Sequence, residues 1–125
     1  MKTILIVDDD KNLRKLYKDE LEAEGYRITL AANGREALAL VSGELPDLVV
    51  MDIRMPELDG LEAMARLLRE HGRVPVLLNT AYASYKDSFI AWAAEGYIIK
   101  SSDLEPLKRR IREILHIQPS PQLSN

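Results

Sequence analysis

The feature that most constrains the fold of this chain is a regular alternation of short apolar segments with longer segments of helical periodicity. The short segments predict five β-strands: Thr3–Val7, Arg27–Ala31, Leu48–Met51, Val76–Leu78 and Tyr97–Ile99. Strands that are apolar nearly throughout are buried on both faces, as in parallel sheets. Alternating strands and helices therefore predict a doubly wound α/β sandwich of five strands and five helices.

Apolar stripes and turn residues locate the helices. Three helical segments have stripes that we expect to face the core, formed by Leu13, Leu16, Tyr17 and Leu21, by Leu61, Met64, Leu67 and Leu68, and by Leu104, Leu107, Ile111, Ile114 and Leu115. Asn33-Gly34 is predicted to begin the second helix, and Ser102 or Asp103 to cap the fifth. The fourth helix is expected to be short and to end at residues 92–96.

Composition and length limit the class of protein. The chain has 125 residues, no cysteine and a formal net charge of -3, which suits a single domain without disulfides or thiolate metal sites. Its acidity argues against binding nucleic acid, and no apolar segment approaches the roughly 18 residues needed to cross a membrane. We therefore expect a cytoplasmic domain over residues 1–117. Residues 118–125 contain two prolines and no periodicity, which predicts a disordered tail or a linker stub.

Polar side chains follow the predicted strands at their carboxyl ends. The first strand runs into Asp8-Asp9-Asp10, and the third into Asp52. Thr80 and Lys100 follow the fourth and fifth strands. In open α/β sheets this edge forms the ligand site, so the coincidence indicates a functional site here.

The aspartates predict a magnesium site. One of the first three is expected to cap a helix, but capping needs only one. Carboxylates gathered from two strand ends repel one another by about 4 kcal/mol per pair at 4 Å, which a divalent cation would offset. Oxygen ligands without histidine or cysteine favour Mg²⁺ over zinc.

The remaining polar residues suit phosphoryl transfer. Asp52 could ligate the metal, accept a proton or attack a phosphoryl group as a nucleophile. Lys100 could neutralise charge on the transferring oxygens, and the Thr80 hydroxyl could donate a hydrogen bond to one of them. A buried salt bridge for Lys100 and an ordinary strand end for Thr80 are the simpler alternatives.

These residues resemble the receiver domain of two-component response regulators. The similarity covers essentially residues 3–117, and the acidic pair followed by an Asp-x-x-Met-Pro-x-x-Asp-Gly motif is highly specific. It rests on the segments 4–10, 47–56, 58–60, 80–81 and 96–100. The resemblance implies a flavodoxin-like (βα)5 fold with a five-stranded parallel sheet of order 2-1-3-4-5.

The resemblance also implies a metal and acceptor site. Asp52 would be the phosphoacceptor for a sensor histidine kinase or a phosphotransfer protein. Asp8, Asp9 and Asp52 would hold Mg²⁺, with the backbone carbonyl of Arg54 as a further ligand.

A switch is implied at the other two strand ends. Thr80 and Lys100 would contact the phosphoryl group, and the rotamer of Tyr97 would follow Thr80. This movement would reshape the surface formed by the fourth helix, the fifth strand and the fifth helix. Such a protein catalyses only its own phosphorylation and dephosphorylation, so we do not expect an enzyme. The kinase, the downstream target and any phosphorylation-dependent homodimer are left open by the sequence.

Two positions depart from the family pattern. The family usually has a cis-proline after the lysine, whereas this chain has Ser101; a cis bond before a non-proline residue costs about 2.5–4 kcal/mol, so a trans bond is predicted. Asn79 replaces an aliphatic residue. It either forms hydrogen bonds near the site or needs a partner in the core, and the sequence leaves both open.

Arg54 and Tyr82 lie two positions after Asp52 and Thr80. Our hypothesis is that these bulky side chains restrict the approach of water and slow loss of the phosphoryl group. The alternative is that both are solvated loop residues.

Three other functions are less consistent with the residues. A haloacid-dehalogenase-type phosphatase needs a second acid two residues after the nucleophile, where this chain has Arg54. A flavin-binding module needs glycine and hydroxyl residues in the first strand-to-helix turn, which here holds three acids. A receiver that has lost phosphorylation would not be expected to retain Asp52 with Thr80 and Lys100.

Overall fold

A five-stranded parallel sheet forms the centre of the molecule, which the computed structural model describes for residues 1–116. The strands are β1 (Thr3–Val7), β2 (Arg27–Ala31), β3 (Leu48–Met51), β4 (Val76–Thr80) and β5 (Gly96–Ile99). The α-helices are α1 (Lys11–Glu22), α2 (Gly34–Gly43), α3 (Gly60–Glu70) and α4 (Glu105–Ile114). The strand order, β2-β1-β3-β4-β5, confirms the predicted doubly wound sheet. The predicted tail, residues 118–125, lies outside the described residues.

Apolar layers cover both faces of the sheet. The inner strands β1, β3 and β4 are buried along almost their whole length, as predicted for strands with helices on both sides. Successive side chains alternate between the two layers. Leu5, Val49 and Leu78 contribute to the layer under α2 and α3. The opposite layer packs under α1 and α4.

Side-chain caps begin three of the helices. Asp10 accepts hydrogen bonds from two backbone N–H groups of α1, and Asn33 and Asp59 cap α2 and α3. The predicted cap of the last helix is shifted by one residue: α4 begins after Leu104, whose own side chain makes no capping hydrogen bond. The Asp103 carboxylate, as predicted for this region, accepts the N–H of Glu105, the first residue of α4, at 3.0 Å.

The predicted stripe of α1 is wrong at one position. Leu16 is exposed, whereas Tyr17 and Leu21 are buried against the sheet. Leu13 packs partly against the same layer, so Leu16 lies at the edge of the apolar stripe and faces solvent.

The predicted fourth helix is also wrong. Two short 3₁₀-helices, Ala83–Tyr85 and Ile90–Ala93, connect β4 to β5. Of residues 83–94 only Ala91 is buried. A helix in a protein is stabilised mainly by packing of its apolar face, whereas Phe89, Ile90 and Trp92 of this segment are exposed. Its serine and aspartate side chains also favour local turns over a helix.

Two further predictions concern the chain after β5 and membrane segments. The bond between Lys100 and Ser101 is trans, as predicted. Within residues 1–116, no helix has the length and apolarity that crossing a bilayer requires.

Candidate functional site

The carboxyl edge of the sheet gathers the polar strand ends. Parallel pairing continues one residue beyond the strands, since the Asp52 N–H donates to the Val7 carbonyl at 2.9 Å and the Lys100 N–H to the Thr80 carbonyl at 2.8 Å. The backbones of these residues are therefore ordered by the sheet itself rather than by mobile loops. Thr80 is the last residue of β4 and is fully buried.

Three aspartates converge at this edge. One carboxylate oxygen each from Asp8, Asp9 and Asp52 lies within 4.8 Å of the others. Asp8 and Asp52 are buried, whereas Asp9 is exposed. Asp10 is absent from this cluster because its carboxylate caps α1 at 2.9 Å from the Asn12 N–H. The consecutive aspartates thus divide between the site and the helix, as predicted.

Lys100 bridges the two buried carboxylates. Its ammonium lies 2.7 Å from Asp8 Oδ2 and 3.0 Å from Asp52 Oδ2. Burial opposes the charge of the ammonium, but the hydrogen bonds to both aspartates outweigh it and raise the pKa of Lys100. Lys100 is therefore positively charged, and it offsets part of the repulsion between the two carboxylates.

Backbone donors hold the other oxygen of each buried carboxylate. The Asp10 N–H donates to Asp8 Oδ1 at 2.9 Å, and the Ile53 N–H donates to Asp52 Oδ1 at 2.7 Å. Burial nevertheless raises the pKa of Asp8, and its hydrogen bond with Lys100 only partly opposes this effect. Ionised Asp8 therefore lowers the free energy of unfolding of the protein.

The donor set fits a magnesium ion. Three carboxylates against one ammonium leave two formal negative charges among Asp8, Asp9, Asp52 and Lys100. All candidate ligand atoms are oxygens, which suits a hard divalent cation. Arg54, whose carbonyl was predicted as a ligand, lines the same cleft as Asp9 and Asp52.

Thr80 and Tyr97 are connected through Tyr82. The Tyr82 N–H donates to the Thr80 hydroxyl oxygen at 3.3 Å, and the Tyr97 hydroxyl donates to the Tyr82 carbonyl. Tyr97 is half-buried and packs against the layer under α2 and α3, which is also the layer that Thr80 faces. Any displacement of Thr80 can therefore reach Tyr97 through one intervening residue.

Arg54 and Tyr82 stand together at the mouth of the cleft. The cleft has a volume of about 390 Å³ and is lined by acidic residues, Lys100 and these two side chains. The Arg54 guanidinium lies 4.6 Å from the centre of the Tyr82 ring, within the range of a cation–π interaction. The two loops that carry them are thus joined above Asp52.

Gly60 supports the acceptor from behind. Its N–H donates to the Ile53 carbonyl at 2.7 Å, and a Cβ atom here would collide with the Asp52 carbonyl oxygen. Asp59 caps α3 in the adjacent position. The Asp-Gly pair of the sequence motif therefore presses the beginning of α3 against the backbone of Asp52.

Sequence reasoning missed two side chains that α1 contributes. The Arg14 guanidinium donates to the Asp8 carbonyl at 2.6 Å. Tyr17, one turn further along α1, is buried in the apolar layer under α1 and α4, and burial raises the pKa of its phenol. No local signal distinguishes these residues from ordinary positions of an amphipathic helix.

Comparison with known proteins identifies the family to which this chain belongs. Residues 4–112 match the response regulator receiver domain family. The chain is 40% identical over 117 residues to the regulatory protein AtoC of Escherichia coli. The aligned region covers 92% of this chain and 25% of AtoC. It spans about half the length of several other curated relatives, such as the response regulator MprA of Mycolicibacterium vanbaalenii (49%).

Solved structures show the same fold. The response regulator TrrA of Thermotoga maritima, crystallised with Mg²⁺ and BeF, superposes with a TM-score of 0.89 at 40% identity, over 91% of this chain and 99% of that one. A second structure, the histidine kinase ThkA in complex with TrrA, gives a TM-score of 0.87 at 41% identity, over 92% and 99% of the chains. This chain belongs to the response regulator receiver domain family of two-component systems.

Proposed function

We propose that this domain is a phosphorylatable switch in which Asp52 accepts a phosphoryl group from a histidine kinase or phosphotransfer protein in a Mg²⁺-dependent reaction. The observation that carries the proposal is the buried Asp52 carboxylate, bridged to Asp8 by Lys100 at the wall of an open acidic cleft. An ion pair that only stabilised the fold would have no need of the exposed Asp9 or of an adjoining cleft.

The carboxylate of Asp52 is oriented for attack. Its Oδ1 is held by the Ile53 N–H, and its Oδ2 by the Lys100 ammonium. An oxygen of Asp52 would form a bond to phosphorus while the bond from phosphorus to the kinase histidine nitrogen breaks and its electron pair stays on that nitrogen. The product is an acyl phosphate. Lys100 and the Thr80 hydroxyl would then hydrogen-bond the phosphoryl oxygens.

Asp8, Asp9, Asp52 and the Arg54 carbonyl would hold Mg²⁺. When bound, the ion neutralises charge between the carboxylates and the incoming phosphoryl group. Asp8 and Asp9 then act as ligands without attacking phosphorus, while Asp52 remains the acceptor. The similar TrrA structure, crystallised with Mg²⁺ and BeF, supports the binding of Mg²⁺ by this domain.

The output of the switch would be the surface around β5. Thr80 contacts Tyr82, and Tyr82 contacts Tyr97, so a phosphoryl group that draws Thr80 toward Asp52 would change the position of Tyr97. The surface predicted from a fourth helix is formed here by the two 3₁₀-helices together with β5 and α4. Because the domain modifies only itself, we propose a switch and not an enzyme with an external substrate.

The kinase partner is proposed from similarity to TrrA, which was crystallised with ThkA. We propose residues 1–117 as the receiver domain. The proposal names no effector and includes no homodimer.

Intact-mass spectrometry tests the proposal. The protein is incubated with acetyl phosphate and Mg²⁺, and Asp52→Asn is treated in parallel. We expect the wild type to gain the mass of one phosphoryl group, and neither the variant nor a sample with EDTA to do so. A wild type without Asp52-dependent gain would refute the proposal and would favour an interaction domain that is not phosphorylated.

A further inference from the structure

The turn between β1 and α1 is ordered by hydrogen bonds on both sides of Asp9. The Asp10 N–H donates to Asp8 Oδ1 at 2.9 Å, and the Arg14 N–H donates to the Asp10 carbonyl at 3.0 Å. The Asp10 carboxylate in turn caps the helix through the Asn12 N–H. Asp9 itself is exposed. The position of its carboxylate therefore depends on the two peptide groups that flank it.

Arg14 holds the first of these two peptide groups, which joins Asp8 to Asp9. The Arg14 side chain is half-buried, and its Nη1 donates to the Asp8 carbonyl at 2.6 Å. The Asp8 N–H donates to the carbonyl of Ala31, the last residue of β2, at 3.1 Å. A side chain of α1 thus supplies the donor for the carbonyl where the pairing of β1 with β2 ends. Asp8 is buried, so its carbonyl needs such a partner.

The contact of Arg14 is with the backbone and not with a carboxylate. Within residues 1–116, the cation that pairs with the buried acids Asp8 and Asp52 is the Lys100 ammonium. A second cation that only balanced the charge of the site would be expected to approach a carboxylate in the same way. The planar guanidinium of Arg14 is bound to a peptide carbonyl instead, and its rigid donor geometry suits holding that group in one orientation.

We propose that Arg14 is a positioning residue, which fixes the peptide group between Asp8 and Asp9 and so keeps their two carboxylates spaced for one Mg²⁺ ion. This inference rests on the proposed function. Rotation of that peptide group would change the spacing of the two carboxylates, whose oxygens lie within 4.8 Å of each other. Mg²⁺ requires near-ideal octahedral geometry, and groups that orient its ligands without touching the ion raise its affinity. Asp52 and Lys100 are held by other hydrogen bonds.

The charge of Arg14 and its contact predict opposite effects on Mg²⁺ binding. A positive charge beside the acids repels the ion, so its removal should strengthen Mg²⁺ binding if charge alone mattered. If Arg14 holds the ligands in place, its removal should weaken binding in spite of that gain. Arg14→Met keeps a long side chain that favours a helix. We expect its Kd for Mg²⁺ to rise by about two- to tenfold, the equivalent of one net hydrogen bond.

Amide chemical shifts followed during a Mg²⁺ titration of the unphosphorylated protein measure this Kd directly. Lys15→Met is the matched control, because Lys15 is the next residue of α1, is exposed and pairs with Asp19 at 2.8 Å. It loses the same charge without the contact, and its Kd should stay within twofold of the wild-type value. A second readout is the rate of phosphoryl uptake from acetyl phosphate. In Arg14→Met the Mg²⁺ concentration at half-maximal rate should rise, while the maximal rate stays within twofold of the wild type.

An equal or lower Kd in Arg14→Met than in the wild type would overturn the inference, as would an equal rise in Lys15→Met. Urea denaturation in EDTA adds a third test: a loss of stability in Arg14→Met without a change in Kd would show that the contact serves only the fold. Arg14→Gln removes the same guanidinium and carries the same prediction if Arg14→Met does not fold. A wild type that binds no Mg²⁺ would refute the metal site of the proposed function, which distinguishes that failure from a failure of this inference alone.

Discussion

Two loops at the carboxyl edge of the sheet both follow a polar residue at the end of a strand, but they differ in how much of their apolar surface is buried. Residues 53–59, here the acceptor loop, follow Asp52, and residues 81–95, the switch segment, follow Thr80. The acceptor loop buries Ile53, Met55 and Leu58. The switch segment leaves Phe89 85% and Trp92 71% exposed. One loop is therefore held by the core, and the other is held by a few surface contacts.

This difference suits a switch. The acceptor must keep its geometry while the charge at Asp52 changes, and its loop is locked between α3 and the sheet. The segment that reports the change must have alternative arrangements within a few kcal/mol. Elements with few buried contacts are the ones that open most easily, and the switch segment is of this kind.

The largest expected effect is on the free energy of unfolding when an apolar side chain is removed from each loop. Leu58→Ala should cost about 2–5 kcal/mol because it leaves a cavity in the layer under α2 and α3. Phe89→Ala should cost no more than about 0.5 kcal/mol because the ring is mostly in solvent. Urea denaturation measures both. Equal losses would show that the two loops are held alike.

A substitution at Gly60 should have the next largest effect. Gly60→Ala forces a methyl group against the Asp52 carbonyl and should destabilise the protein by about 1–3 kcal/mol. Gly43→Ala is the control, because no atom lies within 4 Å of the added methyl group there. It should be neutral or stabilising. If both variants behaved alike, Gly60 would not be a support for the acceptor.

Replacing Asp8 should stabilise the protein in EDTA at pH 7. The pKa of Asp8 is raised in the folded state by burial, so the folded protein binds this proton more tightly than the unfolded chain does. The stability that Asp8 contributes is then largest below the ordinary value of 3.8 and falls as the pH rises through the folded pKa. The advantage of Asp8→Asn should grow over the same interval.

The exposed Asp19 provides the opposite case. Its hydrogen bond with Lys15 lowers the pKa of Asp19, so Asp19→Asn should bring no gain at pH 7. Thermal unfolding from pH 3 to pH 8 follows both variants. A gain for Asp8→Asn that is already complete at pH 3 would contradict the assignment, as would a gain that Mg²⁺ leaves unchanged.

The smallest effect is expected at the contact that joins the two loops. If the Arg54–Tyr82 pair shields the acyl phosphate from water, Arg54→Ala and Tyr82→Ala should each speed its loss. A cation–π contact of about 0.5–1 kcal/mol corresponds to a two- to fivefold change. The decay of the phosphorylated mass after removal of acetyl phosphate measures this rate. Unchanged decay in both variants would mean that the pair does not restrict the access of water to the acyl phosphate.

The same two loops show which parts of the fold and the site can be predicted from the sequence. The doubly wound parallel sheet and the meeting of Asp8, Asp9 and Asp52 followed from alternation and from the polar residues at strand ends, because these features act locally and repeat. The strand order itself followed only from the resemblance to the receiver family. The fourth helix was predicted by alternation alone, and this prediction is wrong because the large apolar side chains of the segment, Phe89, Ile90 and Trp92, are exposed. The contact of Arg14 with the Asp8 carbonyl could not be predicted from the sequence of α1, since it depends on how the helix packs over the end of β1.

Hydrogen exchange of the phosphorylated protein tests the link between the two loops most directly. Wild type and Asp52→Asn are treated with acetyl phosphate and Mg²⁺, and amide protection is compared with untreated samples by mass spectrometry. We expect protection in residues 81–99 to change in the wild type only, while the core of α3 keeps its protection. The same exchange in residues 81–99 before and after phosphorylation, or an equal change in Asp52→Asn, would contradict the proposal that Asp52 controls this surface.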